Sequence, residues 1–137
     1  TTQQALVALN DVVQRFPGTA YARDARIKLD LALDHLAGKE MAIGRYYLYK
    51  EQYVAAINRF KVVVTNFQTT AQTPEALYRL TEAYLALGIK GEAQTAAAVL
   101  GYNYPGSRWY EMAYGLLTGA EISPRVGDDW LSRNFGL

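Results

Sequence analysis

The sequence predicts an all-α fold in which helix–turn–helix pairs stack side by side as a solenoid. Three observations predict it. Apolar residues recur at helical spacing in segment after segment from Gln3 to Leu117, and no β-strand is needed anywhere. Three helix ends read alike: Arg15-Phe16-Pro17-Gly18-Thr19, Asn66-Phe67-Gln68-Thr69-Thr70 and Asn103-Tyr104-Pro105-Gly106-Ser107. A shift of 37 residues carries Tyr47 onto Tyr84, Ala56 onto Ala93, Val63 onto Leu100 and Phe67 onto Tyr104, which is close to the period of a helix-pair repeat.

Gln3 to Phe16 reads as a first helix, with Leu6, Leu9, Val13 and Phe16 on one face. Pro17-Gly18 stops it, and Thr19 is the N-cap of the second helix. From Thr19 to Lys50, Ala25, Leu29, Ala32, Leu36, Ile43 and Tyr47 hold one helical phase. The spacing predicts one long helix with Gly38 as the place for a bend; the alternative is two helices broken there. Phe16 to Phe67 is 51 residues, 14 more than the repeat, or about four helical turns, which favours the single long helix.

The stretch from Gly44 to Gln68 organises the rest: a helix end, a tight turn near Glu51-Gln52, and a helix from Tyr53 to Phe67 with Ala56, Ile57, Phe60 and Val64 on its stripe. Gln68 to Thr73 is a polar connector. Thr73 is expected to cap the next helix, with Pro74 at its first position and Leu77, Leu80, Tyr84 and Leu87 on its stripe. Gly88 ends that helix. A fifth runs from about Gly91 to Tyr104, where Ala93, Ala96 and Ala97 imply close helix approach. Ser107 caps a sixth over Arg108 to Leu117, carrying Trp109, Met112, Ala113 and Leu116. Residues 1–117 form the repeat array and 118–137 a tail, with a short helix over Asp128 to Phe135.

Composition removes several function classes. Fourteen Lys and Arg against thirteen Asp and Glu, interspersed, leave a net charge of +1 and no basic patch for nucleic acid. The chain has no cysteine, so disulfides, thiolate chemistry and cysteine-ligated metals are excluded. No apolar run approaches the ~18 residues that span a bilayer. The opening Thr1-Thr2-Gln3-Gln4, without an initiator Met, is expected to be a cut within a longer protein.

Gly44, Tyr47, Ala56 and Phe60, then Tyr84, Ala93 and Pro105, with Ala5, Leu9 and Pro17 as a half unit, resemble the tetratricopeptide repeat. Gln68, Thr81 and Ala97 depart from that pattern. More specifically, Gly44-Arg45-Tyr46-Tyr47, the run Tyr53 to Arg59, Ala83 to Gly88 and Ala98 to Pro105 resemble the C-terminal half of the BamD family over about Gln4 to Leu117. The resemblance implies a periplasmic scaffold on the outer membrane, part of the β-barrel assembly (BAM) complex and held by an N-terminal lipid that this chain does not carry. It also implies docking to the POTRA region of BamA, contacts with other BAM lipoproteins and unfolded outer-membrane protein segments, and support for insertion of outer-membrane proteins. The alternative is a generic repeat module taking an extended peptide or chain terminus, for which Arg45, Arg79 and Glu82 are the available groove side chains.

The candidate partner-binding residues are Arg59 and Asn58, which point away from the Ile57/Phe60 stripe, and then Arg45, Tyr46 and Tyr49. Exposed Arg and Tyr are favoured interface anchors, and Arg can pair bidentately with a carboxylate. The competing assignment for each is an intramolecular salt bridge or a solvated face. Tyr47, Tyr84 and Tyr104 are expected in the core; Tyr46, Tyr49, Tyr53 and Tyr78 at least partly outside it. The lone His35, with Asp34 and Asp30 nearby, lacks a third ligand or a nucleophile, and Asp128-Asp129 reads as a cap. No catalytic residue, metal or cofactor is expected.

Overall fold

The computed structural model describes residues 2–119, and for Thr2 the backbone only. The short helix expected over Asp128 to Phe135 lies outside the described residues. Six helices succeed one another: α1 (Thr2–Arg15), α2 (Ala20–Tyr49), α3 (Tyr53–Asn66), α4 (Thr73–Ala86), α5 (Lys90–Asn103) and α6 (Arg108–Thr118). Each packs against the next, and α4 also packs against α6 across α5, the neighbour pattern of a stacked helix-pair array. Among the described residues there is no strand.

The repeat is visible in the backbone, atom for atom. At the α2–α3 turn the Gln52 amide donates to the Tyr47 carbonyl at 2.9 Å and the Glu51 amide to Leu48 at 3.0 Å; at the α4–α5 turn, 37 residues on, Ile89 donates to Tyr84 at 2.9 Å and Gly88 to Leu85 at 3.0 Å. The residues preceding α3 and α5 share one conformation, Gln52 at φ −93, ψ 75 and Ile89 at φ −92, ψ 77. The helix ends at Phe67 and Tyr104 match as well, each amide closing on the carbonyl four residues back.

α2 is one uninterrupted helix of 30 residues. Its cap is Thr19, whose hydroxyl accepts from the Ala22 amide at 3.1 Å and donates to the Phe16 carbonyl at 2.7 Å. Ser107 caps α6 by accepting from the Trp109 amide at 3.1 Å. Thr73 does something other than cap. Gln72 holds the cap position of α4 without a side-chain bond, while Thr73, buried as the first residue of the helix, turns its hydroxyl back to the Phe67 and Gln68 carbonyls at 3.2 and 3.1 Å. The end of α3 leaves those acceptors without helical donors; the single Thr73 proton is shared between them, and the Phe67 carbonyl also accepts from the Thr70 amide at 3.0 Å and the Thr70 hydroxyl at 2.7 Å.

The core runs along the array in two contiguous parts. Ala37 and Met41 of α2 meet Ile57, Phe60 and Val63 of α3 and Leu80 and Tyr84 of α4; Leu77 and Tyr78 of α4 then meet Leu100 of α5 and Tyr110 and Ala113 of α6. Small residues set the crossings. A Cβ on Gly44 would fall 2.5 Å from Cε1 of the fully buried Phe60 ring, and one on Gly101 would overlap the Tyr110 ring. In the following unit the positions of Gly44 and Phe60 are held by Thr81 and Ala97, both fully buried. The departures from the repeat pattern are therefore a volume exchange: Gly with Phe in one crossing, Thr with Ala in the next. The Thr81 hydroxyl is satisfied by the Leu77 carbonyl at 3.0 Å.

Several burial expectations change, among them Leu87, placed on the α4 stripe but 40% exposed because it follows the helix's last residue. Phe16 is 55% exposed, because it lies past the last turn of α1, whose face toward α2 is carried by Leu6, Leu9 and Val13, all half-buried. α6 turns inward through Tyr110, Ala113 and Leu117, leaving Met112 and Leu116 exposed, because the Gly101 crossing admits the Tyr110 ring. Tyr78, expected partly outside, is buried between α4 and α6 against Trp109.

Candidate functional site

The end of α2, the α2–α3 turn and the outer face of α4 enclose a cleft of about 460 Å³ lined by Arg45, Leu48, Tyr49, Glu51, Tyr53, Arg79, Glu82 and Ala86. It exists because α2 and α4 begin equivalent units and so lie alongside one another, with the turn standing at one end. A charged chain forms its floor. Arg45 donates to both oxygens of Glu75, at 3.2 and 3.1 Å; Arg79 donates to Glu75 at 3.2 Å and to Glu82 at 3.2 Å. The Arg79 guanidinium also lies 5.3 Å from the Tyr78 ring centre and 5.6 Å from that of Trp109. Burial, reinforced by the Glu82 carboxylate that the phenol contacts at 3.4 Å, raises the Tyr78 pKa above its ordinary 10.0.

The predicted partner-binding residues divide into two groups. Arg45 and Tyr49 line the cleft together, and Tyr49 is 83% exposed. Tyr46, 58% exposed, lies outside the cleft lining, edge-on to the Tyr47 ring with the Lys50 ammonium 5.9 Å from its centre. Asn58 is exposed on α3. Arg59 reaches back to α2 and pairs with Glu40 at 3.1 Å, with 41% of its side chain still exposed. It is thus an intramolecular ion pair that keeps an accessible edge.

The spacing of Glu75, Arg79 and Glu82 along one helix makes their pairing legible in the sequence. Arg45–Glu75 and Arg59–Glu40 join different helices, and no local signal announces them. Glu51 and Tyr53 enter the cleft through the turn; the sequence locates that turn but gives neither residue a role at a site.

A second hollow of about 430 Å³ lies between α2 and the α3–α4 connector, lined by Asp30, Leu31, Leu33, Asp34, Thr69, Thr70 and Ala71. One oxygen of Asp34 is shielded there without a hydrogen-bond partner. His35 is exposed beside it. Among the described residues no group of three or more His, Cys, Asp or Glu is placed to hold a metal, and no helix is long and apolar enough to cross a membrane.

Comparison with known proteins matches residues 1–100 to the YfiO outer membrane lipoprotein family. The chain is 60% identical over 125 residues to outer membrane protein assembly factor BamD of Caulobacter vibrioides, covering 91% of this chain and 41% of that protein. It is 56% identical over 110 residues to BamD of Rickettsia prowazekii, covering 80% of this chain and 44% of the relative. For BamD of Neisseria meningitidis serogroup A the figures are 36% over 112 residues, 82% and 42%. The chain thus spans less than half the length of these relatives. With the matched turns, the stacked helix pairs and these likenesses together, the chain belongs to the YfiO family of outer membrane lipoproteins.

Proposed function

We propose that this chain is a non-catalytic protein-binding scaffold, part of an outer-membrane protein assembly factor at the periplasmic face of the outer membrane, and that it docks the POTRA region of the barrel-forming subunit BamA. The names of its relatives supply the assembly role. The observation that carries docking is the cluster of ordered arginine and exposed tyrosine at the end of α2: Arg45 fixed by both oxygens of Glu75, with Tyr46 and Tyr49 standing out of the surface beside it. Large rigid aromatics next to an immobilised guanidinium lose little entropy when a partner covers them, which is why such residues dominate interface energetics. Arg59 and Asn58 offer a second contact on α3. Because α2 to α5 form one continuous core, a domain resting on these side chains would be held in a fixed pose.

The test is calorimetric titration of the chain with isolated POTRA domains. Tyr49→Ala and Arg59→Glu are each expected to weaken binding about tenfold or more, the usual loss at an interface anchor, with helicity unchanged by circular dichroism. A complex whose affinity none of Arg45, Tyr46, Tyr49, Asn58 or Arg59 alters would move docking elsewhere on the array. Absence of any complex would refute it.

A further inference from the structure

The α2–α3 turn carries a feature that turning the chain does not require. Glu51 adopts φ +59, the left-handed region that costs a side-chain-bearing residue energy, and its counterpart 37 residues on is Gly88 at φ +76. The same shift carries Tyr49 onto Ala86 and Tyr53 onto Lys90, so the equivalent turn is made with neither an acid nor an aromatic. Here all three, Tyr49, Glu51 and Tyr53, line the cleft.

The ion pairs around the cleft leave one of its acids over. Arg45 and Arg79 are engaged by Glu75 and Glu82, and Glu51 has no ion-pair partner among the described residues. Two carboxylates and two guanidiniums line the cleft, but both guanidiniums are taken up by Glu75 and Glu82, which leaves the Glu51 carboxylate unpaired beside Tyr49 and Tyr53. A cation beside a carboxylate and over aromatic faces gains from both. The molecule already holds one cation this way: Arg79, set over Tyr78 and Trp109 with Glu75 and Glu82 as counter-ions.

We propose that the cleft is a receptor for an arginine side chain of the docked partner protein, with the Glu51 carboxylate as counter-ion and the Tyr49 and Tyr53 rings as stacking surfaces. This deepens, and rests on, the docking role proposed above. The planar guanidinium suits it better than an ammonium, since it stacks on aromatic rings while pairing bidentately with a carboxylate.

The test uses the whole 137-residue chain, isotopically labelled, titrated with N-acetyl-arginine-N-methylamide and, separately, with its neutral isostere N-acetyl-citrulline-N-methylamide. Saturable amide shifts at Tyr49, Glu51 and Tyr53 are expected with the arginine probe alone. Glu51→Gly, which restores the residue of the equivalent turn, is expected to weaken binding at least about tenfold without lowering the melting temperature, and Tyr49→Ala to weaken it similarly. Equal shifts with the citrulline probe, or arginine binding undiminished in both variants, would overturn the proposal. A POTRA complex that forms while arginine leaves the cleft untouched discards this inference and keeps the docking role. Arginine binding without any POTRA complex keeps the cleft's chemistry and discards the docking role.

Discussion

Gly44→Ala is the sharpest perturbation of the packing scheme. In a helix interior the change alone favours the folded state by about 1 kcal/mol, since alanine is the better helix former. Here the new methyl would stand 2.5, 2.8 and 2.9 Å from three atoms of the Phe60 ring. Ordinary contact needs roughly another ångström, and the ring, with no exposed surface, has nowhere to withdraw. Overpacking of this kind costs up to about 3 kcal/mol, so the net effect is a loss of about 2 kcal/mol, or a fall of roughly 8 °C in melting temperature for a chain of this size. Denaturant unfolding followed by far-ultraviolet circular dichroism measures it. Phe60→Leu in the same background, and Gly44→Thr with Phe60→Ala, which copies the Thr81/Ala97 crossing, should recover much of the loss. A Gly44→Ala protein as stable as the wild type, or a penalty indifferent to the residue at 60, would refute the volume-exchange account of the two crossings.

Two further predictions concern polar groups that secure the array. Thr73→Val, which keeps shape but removes the hydroxyl from the Phe67 and Gln68 carbonyls, should cost about 1–2 kcal/mol in denaturant unfolding, and Thr73→Ser distinctly less. Tyr78 makes stability fall in alkali: its pKa is raised in the folded protein, by burial and then by Glu82, so its contribution is fully present below the unfolded value of 10.0 and lost as pH rises through the folded one. Tyr78→Phe should flatten the dependence of unfolding free energy on pH above about 10; an unchanged slope would show that the phenol does not titrate in its buried place.

The sequence alone determined the helices, their order and the repeat, because these depend on spacing along one chain. Apolar residues at helical intervals, Pro17-Gly18 and Pro105-Gly106 as stops, and Thr19 and Ser107 as caps are local signals, and each was found where expected. The excess of 14 residues between Phe16 and Phe67 sufficed to make α2 one helix of 30. Only tertiary structure decided which residues meet across helices. Phe60 fits because Gly44 on the facing helix has no side chain to meet its ring, Thr73 is buried with its hydroxyl turned to the Phe67 and Gln68 carbonyls at the end of α3, and the face α6 turns inward is set by the Gly101–Tyr110 crossing. The candidate site divides the same way. Arg45 and Tyr49 were legible as surplus to the stripe, whereas Arg59 closing on Glu40, and Glu51 joining Tyr49 and Tyr53 at one cleft, depend on how the helices and the turn between them are set against one another. The period of a stripe fixes the direction of a side chain from its own helix axis; what stands opposite it is set by interhelical angle and distance, and those are decided by the summed volumes of residues far apart in the chain.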